Sequence, residues 1–266
     1  MNDRKPQKLN RLQHLLPEGL LADAPWFEAH GYSRSLRSHY VAAGWLEQPA
    51  RGVYKRPGGK LVWQQVVISL QTLMGRCLHV GGRTALDLHG FTHYVPVDGP
   101  VDIHLYGQRS LPGWTGKLPL DTRFIFHKAD TLFEASMSDD ADTVFGVTHL
   151  PWGSPERTLV LSTPERAVLE MLADVPQRET FHQADMLMAG LATLSPRRLQ
   201  VLLEGCRSVK VKRLFLWFAE RHGFRFMNRI DRKPIDLGHG KRLLAKGGKL
   251  DRAYLITVPE DLHGGA

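Results

Sequence analysis

The chain has 266 residues, 42% hydrophobic and 23% charged, the composition of a folded protein with a substantial core. No stretch reaches the roughly 20 uncharged apolar residues of a membrane span; the start MNDRKPQKLNRLQHLL is no secretory signal; and two cysteines, Cys77 and Cys206, make neither a disulfide framework nor a four-cysteine zinc site. These absences predict no membrane partner and a reducing, cytoplasmic setting, while a formal charge of +8, from 35 Lys and Arg against 27 Asp and Glu, predicts a polyanionic partner.

In chain order, residues 8–16 place Leu9, Leu12, Leu15 and Leu16 on one helical face. A second helix is predicted over 22–30, with Trp26 and Phe27 as its core side. Gly31-Tyr32 makes a turn, Ser33 caps a third helix running to Ala43, and Gly44 stands where a left-handed helix terminus favours glycine. Trp45-Leu46-Glu47 and Gly52-Val53-Tyr54-Lys55 predict two strands joined through Gln48-Pro49-Ala50-Arg51. Three helices and a hairpin, ending at Gly58-Gly59, are the order of a winged helix-turn-helix domain over residues 1–57.

Residues 60–266 predict a larger mixed α+β domain with a helical C-terminal half. Residues 62–74 form a mostly buried helix and 77–80 a strand, and Gly81-Gly82 leads into a helix through Leu88. Strands are expected at 101–106, 122–127, 144–150 and 157–161. Thr163 and Pro164 open a helix to Ala173. Helices at 181–191, 196–205 behind Ser195, and 209–222 follow, then a strand at 253–258. The fold class is α+β.

The positive charge is localised. Residues 1–60 hold 10 basic and 5 acidic side chains, and residues 207–249 hold 13 basic and 3 acidic. Such blocks on an acidic body mark a nucleic-acid footprint or, alternatively, two solvated faces. In the third helix, Leu36, Tyr40 and Ala43 are expected inward, with Arg34, Ser35 and Ser38 outward and Arg37 on the flank. Short hydroxyls and guanidinium groups near a helix start suit a recognition helix in the major groove. Arg51, Lys55 and Arg56 would supply wing contacts. The expected DNA-binding set is Ser33, Arg34, Ser35, Arg37, Ser38, Arg51, Lys55 and Arg56. Protein contact is the other use of such a fold, and the basic, non-apolar face favours double-stranded DNA.

Further on, Val211, Leu214, Phe215 and Phe218 make an apolar helix face. Arg207, Lys210, Lys212 and Arg213 crowd the start of that helix against its own dipole. They form either a second nucleic-acid contact or a solvated helix start paired with acids of the body. Val80-Gly81-Gly82-Arg83-Thr84-Ala85-Leu86 followed by Val101-Asp102-Ile103-His104-Leu105 faintly echoes a nucleotidyltransferase. In that chemistry a glycine pair holds phosphate and paired carboxylates hold magnesium. Here His104 takes the place of the second carboxylate and Asp98 is out of strand register, so a tight turn and a surface Asp are the expected arrangement.

His89 and His93 are spaced as ligands but flank a helix ending. Ser154 and Ser162 lack a nucleophile elbow, Glu165 suits helix capping, and Trp45, Trp63, Trp152 and Trp217 suit packing. No catalytic residue, metal or cofactor is expected.

The run GYSRSLRSHYVAAGWLEQPARGVYKRP (31–57) resembles the N-terminal domain of AbiEi-type antitoxins of bacterial type IV toxin–antitoxin (abortive infection) systems. LSTPERAVLEML (161–172) and SVKVKRLFLWFAERHG (208–223) resemble the C-terminal domain of the same family. The resemblance implies a transcriptional repressor that binds the operator of its own operon and is nucleoid-associated when bound. It also implies a C-terminal antitoxin domain opposing a cognate nucleotidyltransferase-type toxin without a stable complex. The alternative is a nucleotidyltransferase-like enzyme with a nucleic-acid-binding N-terminal domain.

Overall fold

Short local signals organise the start of the chain. The computed structural model describes residues 4–91, 99–133 and 145–263. It begins with α1 (Arg4–Leu15), β1 (Leu21–Asp23), α2 (Ala24–Ala29), α3 (Arg34–Ala42), β2 (Glu47–Ala50) and β3 (Val53–Lys55). The leucine row of α1 buries Leu12 and Leu16. The helix expected over 22–30 starts later, because Leu21, Ala22 and Asp23 pair antiparallel with β3. The Asp23 carboxylate then accepts from the Trp26 amide and caps α2. Ser33 caps α3 through the Leu36 amide as expected, and Gly44 takes a φ of 73°.

The hairpin is shifted from its expected position. Trp45 and Leu46 lie outside it, and β2 runs through Pro49 to Ala50, leaving Arg51-Gly52 as the turn with Gly52 at φ 78°. Pro49 is tolerated because β2 is an edge strand in the order β1-β3-β2.

The rest of the chain builds α4 (Trp63–Thr72), β4 (Leu78–Val80), α5 (Gly82–Leu88), β5 (Val101–Gly107), β6 (Thr122–Lys128), β7 (Val147–Trp152) and β8 (Ser154–Ser162). These are followed by α6 (Pro164–Ala173), α7 (Phe181–Ala189), α8 (Pro196–Gly205), α9 (Val209–Arg221), β9 (Lys249–Asp251) and β10 (Ile256–Val258). The architecture is mixed α+β. A five-stranded sheet has the order β6-β5-β4-β8-β7. Its β4–β8 and β5–β6 pairs are parallel, and its other two pairs are antiparallel. The expected strand at 253–258 is half of an antiparallel β9–β10 ribbon. His93, Asp98 and residue 144 lie outside the described residues. No helix among the described residues is long and apolar enough to cross a membrane.

α6 is the central helix, with Ala167, Val168, Leu169, Met171 and Leu172 all buried. It packs on α5, α8 and α9. Pro164 occupies its first turn as expected, but the Thr163 hydroxyl makes no capping bond. Glu165 does not cap its own helix either; its Oε1 accepts from the Ser195 amide at 2.9 Å and fixes the start of α8. The same apolar core runs on into the N-terminal unit. There the Leu21 amide donates to Ser69 Oγ of α4 at 2.9 Å, and Arg157 reaches the Glu18 carbonyl at 2.8 Å.

At the middle of this core lies a carboxylate. Glu170, fully buried on α6, accepts from Gly82 N at 2.9 Å, Ser162 Oγ at 2.7 Å and Arg166 Nε at 2.8 Å, and pairs with His79 Nε2 at 3.0 Å. Gly81 admits no side chain, because a Cβ there would strike this carboxylate and the Tyr106 ring. Burial by itself raises the Glu170 pKa, but the attraction and hydrogen bonds of His79 and Arg166 outweigh it and leave it at about 2. His79 is pushed down by its own burial. The Arg166 guanidinium, 2.8 Å from the same carboxylate, supplies a counter-charge within the helix.

The folded pKa of Glu170 lies below its ordinary value of 4.5. Its stabilisation is therefore fully present above about pH 4.5 and is lost as the pH falls through about 2. Glu170→Gln leaves Arg166 buried without its anion and is expected to lower unfolding free energy by about 3–5 kcal/mol. Urea unfolding from pH 7 to pH 3 checks both points, since the variant should show a flatter acid limb than the parent.

Candidate nucleic-acid interface

On α3, Arg34, Ser35, Ser38 and His39 are exposed, and Ser33 stands exposed at its N-terminus. Ser33 Oγ lies 3.0 Å from Ser35 Oγ, so these two hydroxyls share a hydrogen bond at the helix start. Arg51 is exposed at the hairpin turn. Neither Arg34 nor Arg51 has a hydrogen-bond or ion-pair partner among the described residues. Arg56 is half-buried, and its guanidinium reaches the Gln13 carbonyl of α1 at 3.4 Å.

Two expected contact residues point elsewhere. Arg37 is buried, not on the flank. It donates to the Tyr32 carbonyl at 2.8 Å, pairs with Glu28 at 2.9 Å and lies 5.7 Å from the Tyr54 ring centre. It therefore clamps the α2–α3 turn onto the sheet. Leu36 and Tyr40 face the core as expected, joined there by Arg37 and Val41, while Ala43 is exposed, contrary to expectation. Lys55 is also buried. Its ammonium pairs with Glu47 at 2.6 Å and bonds the Gly58 carbonyl at 2.8 Å, closing the hairpin.

The start of α9 is corrected in the same way. Lys212 and Arg213 are buried. Arg213 donates to the carbonyls of Leu237, Gly238, Gly240 and Leu255 and so holds the segment that follows α9. Lys210 caps the end of α6 through the carbonyls of Ala173 at 2.6 Å and Val175 at 2.7 Å. Arg207 stays exposed, with a 3.4 Å bond to the Asp130 carbonyl. The exposed cations of this block also include Arg225, Arg229, Arg232, Lys233, Lys241, Arg242, Lys246 and Lys249, of which Arg232 pairs with Glu220 and Lys249 with Glu260. Of the tryptophans expected in packing, Trp45 is 49% exposed beside the end of α3.

The nucleotidyltransferase echo resolves into structural contacts. The Gly82 amide at the start of α5 is taken by Glu170, and Asp102 is held bidentately by Arg123 at 2.8 Å for both bonds. His89 bonds the Ser162 carbonyl. One grouping was not legible in the spacing. His104, His127 and Asp174 bring two ring nitrogens and a carboxylate oxygen within 4.8 Å of one another. They come from β5, β6 and the end of α6. The only signal in the sequence was His104 standing where a second carboxylate was sought.

A family model described as transcriptional regulator, AbiEi antitoxin, type IV TA system matches residues 101–259. A second, described as transcriptional regulator, AbiEi antitoxin N-terminal domain, matches residues 5–97. None of the curated proteins searched matches the chain. Among solved structures, the crystal structure of RV2827C protein from Mycobacterium tuberculosis is similar in fold. Its TM-score is 0.53 at 16% identity, over 93% of this chain and 88% of that one.

The contrast between inward and outward cations is testable by thermal melts. Arg37→Ala strips a buried guanidinium from Glu28 and from the Tyr32 and Ala24 carbonyls and is expected to destabilise by about 2–4 kcal/mol. Arg34→Ala should stay within about 0.5 kcal/mol of the parent. Arg213→Lys should also destabilise, because an ammonium cannot reproduce the planar fork that spans the four carbonyls.

Proposed function

The chain belongs to the AbiEi antitoxin family of type IV toxin–antitoxin transcriptional regulators, and from that premise we propose that it is a sequence-specific DNA-binding repressor of its own operon. The N-terminal unit, residues 1–57, serves as the winged helix-turn-helix. α3 enters the major groove of double-stranded DNA, and the Arg51 turn of the hairpin tracks the adjacent backbone. One observation carries this reading: Arg34 and Arg51 stand exposed and without a partner among the described residues, while the neighbouring Arg37 and Lys55 are held inside. An outward arginine near a helix start is suited to bidentate guanine contact, with Ser35 and Ser38 beside it for bases or phosphates.

The remaining chain, residues 60–266, is read as the antitoxin domain, which opposes a nucleotidyltransferase-type toxin without a stable complex. The exposed cations between Arg225 and Lys246, not the start of α9, are the basic surface available for that role. Nucleotidyl transfer by this chain itself is not part of the reading. Asp102 is neutralised by Arg123, and the amide that would hold phosphate already binds a carboxylate.

Fluorescence anisotropy with DNA from upstream of the gene tests the DNA reading. With about four phosphates neutralised, log K against log salt is expected to slope about −4. Arg34→Ala should cost about 1–3 kcal/mol and relax sequence preference, while Arg51→Ala should reduce the slope by about 1. Unchanged affinity in both variants overturns the assigned face. For the antitoxin role, the full chain carrying both substitutions should still relieve toxin arrest from an unrelated promoter. Loss of rescue would mean that relief works through DNA. A transfer assay with magnesium and labelled nucleotides should give no turnover, and turnover abolished by Asp102→Ala would favour the enzyme alternative.

A further inference from the structure

At the carboxyl end of α6, well away from α3 in the sequence, three side chains converge from three elements. His104 Nδ1 of β5 lies 3.0 Å from His127 Nε2 of β6 and 3.3 Å from Oδ2 of Asp174, the residue that ends α6. His127 Nε2 lies 3.6 Å from the same oxygen. The donor atoms thus form a triangle whose three edges are close to equal. An ion bound at about 2.0–2.2 Å by nitrogen and oxygen ligands spans such edges at about 2.9 Å in octahedral and about 3.4 Å in tetrahedral geometry.

The three groups face one another across distances that leave the carboxylate oxygen imperfectly matched. Asp174 Oδ2 is buried and faces both ring nitrogens, at 3.3 and 3.6 Å, without a well-directed hydrogen bond among the described residues. Asp174 Oδ1 faces the Arg178 guanidinium at 3.7 Å, which leaves Oδ2 as the oxygen aimed at the imidazoles.

The three groups are also held in place by their surroundings. The His104 amide donates to Thr84 Oγ1 at 2.9 Å. The His127 ring stacks on Tyr106 at 4.4 Å between centres and lies nearly parallel to His104. Lys210 grips the carbonyls on both sides of Asp174. Such outer contacts are what orient ligands at a metal centre.

We propose that His104, His127 and Asp174 bind one divalent transition-metal ion of the zinc class, tying the β5–β6 edge of the sheet to the end of α6. Two imidazoles and one carboxylate match the preference of zinc and its first-row neighbours. Magnesium and calcium favour all-oxygen sites. Arg178 at the outer oxygen and His127 near the surface form the entrance. The site is independent of the DNA face and does not rest on the repressor reading.

The test uses the full chain, stripped with a chelator and dialysed. Cobalt(II), as the spectroscopic probe, is expected to bind with one equivalent per chain, give visible ligand-field bands and be displaced by zinc. His127→Gln and Asp174→Asn, each confirmed folded by circular dichroism, should weaken binding by at least about 100-fold. Zinc should raise the melting temperature of the parent and not of the variants. Should either variant fail to fold, paramagnetic broadening in the parent decides the matter. Amide signals lost around Tyr106, His127 and Asp174 support the site. Broadening centred elsewhere, binding retained in the folded variants, or no stoichiometric binding overturns it.

Discussion

The buried carboxylate of Glu170 is the constraint around which the larger part of the molecule is arranged. It receives β4 through His79, the start of α5 through the Gly82 amide, the end of β8 through Ser162, and its own helix through Arg166. Tyr106 of β5 adds a bond from its hydroxyl to the Glu170 carbonyl. An ion in this setting is tolerable only when its lone pairs are met and a counter-charge is adjacent. Every element named here must therefore arrive in register for the core to close. The glycine at position 81, just before α5, follows from the same demand, because the carboxylate and the Tyr106 ring occupy the space a side chain there would need.

A second theme is the division of the basic residues between structure and surface. Arg37, Lys55, Lys210 and Arg213 each close a turn or helix end by donating to backbone carbonyls. Guanidinium and ammonium groups suit this task because they offer several donors to carbonyls that would otherwise be buried unpaired. The outward part of the positive charge in the two blocks includes Arg34 and Arg51 in the first and the exposed residues between Arg225 and Lys249 in the second. The two basic blocks of the chain thus each divide into an inner scaffold and an outer surface, and only the outer part can attract a polyanion.

Asp174, four residues beyond Glu170, ends α6 and meets His104 of β5 and His127 of β6. α6 therefore carries two polar centres, one closed by protein donors and one whose carboxylate oxygen is left facing two imidazoles. Arg178 and Lys210 flank the second centre as Arg166 flanks the first. The first centre locks the sheet to the helix, and the second leaves the same junction open to a ligand.

By itself the sequence determined what depends on neighbours along the chain. Ser33 and Ser195 cap where expected, Pro164 opens α6, Gly44 ends the turn after α3, and α8 runs over the expected residues. Each of these is set within one helical turn, so residue type and spacing suffice. Both parts of the family resemblance were legible for the same reason, as contiguous runs.

Tertiary structure alone decided which way a charged side chain faces. Arg34 and Arg37 are equally basic and nearly adjacent, yet one is exposed and the other sits among carbonyls contributed by α2 and the turn after it. It also decided that Leu21 to Asp23 form a strand, because their partner is β3. The two carboxylate centres were out of reach of spacing for the same physical reason. Their members lie on separate strands and a helix and meet only when mixed parallel and antiparallel pairing folds the sheet against α6.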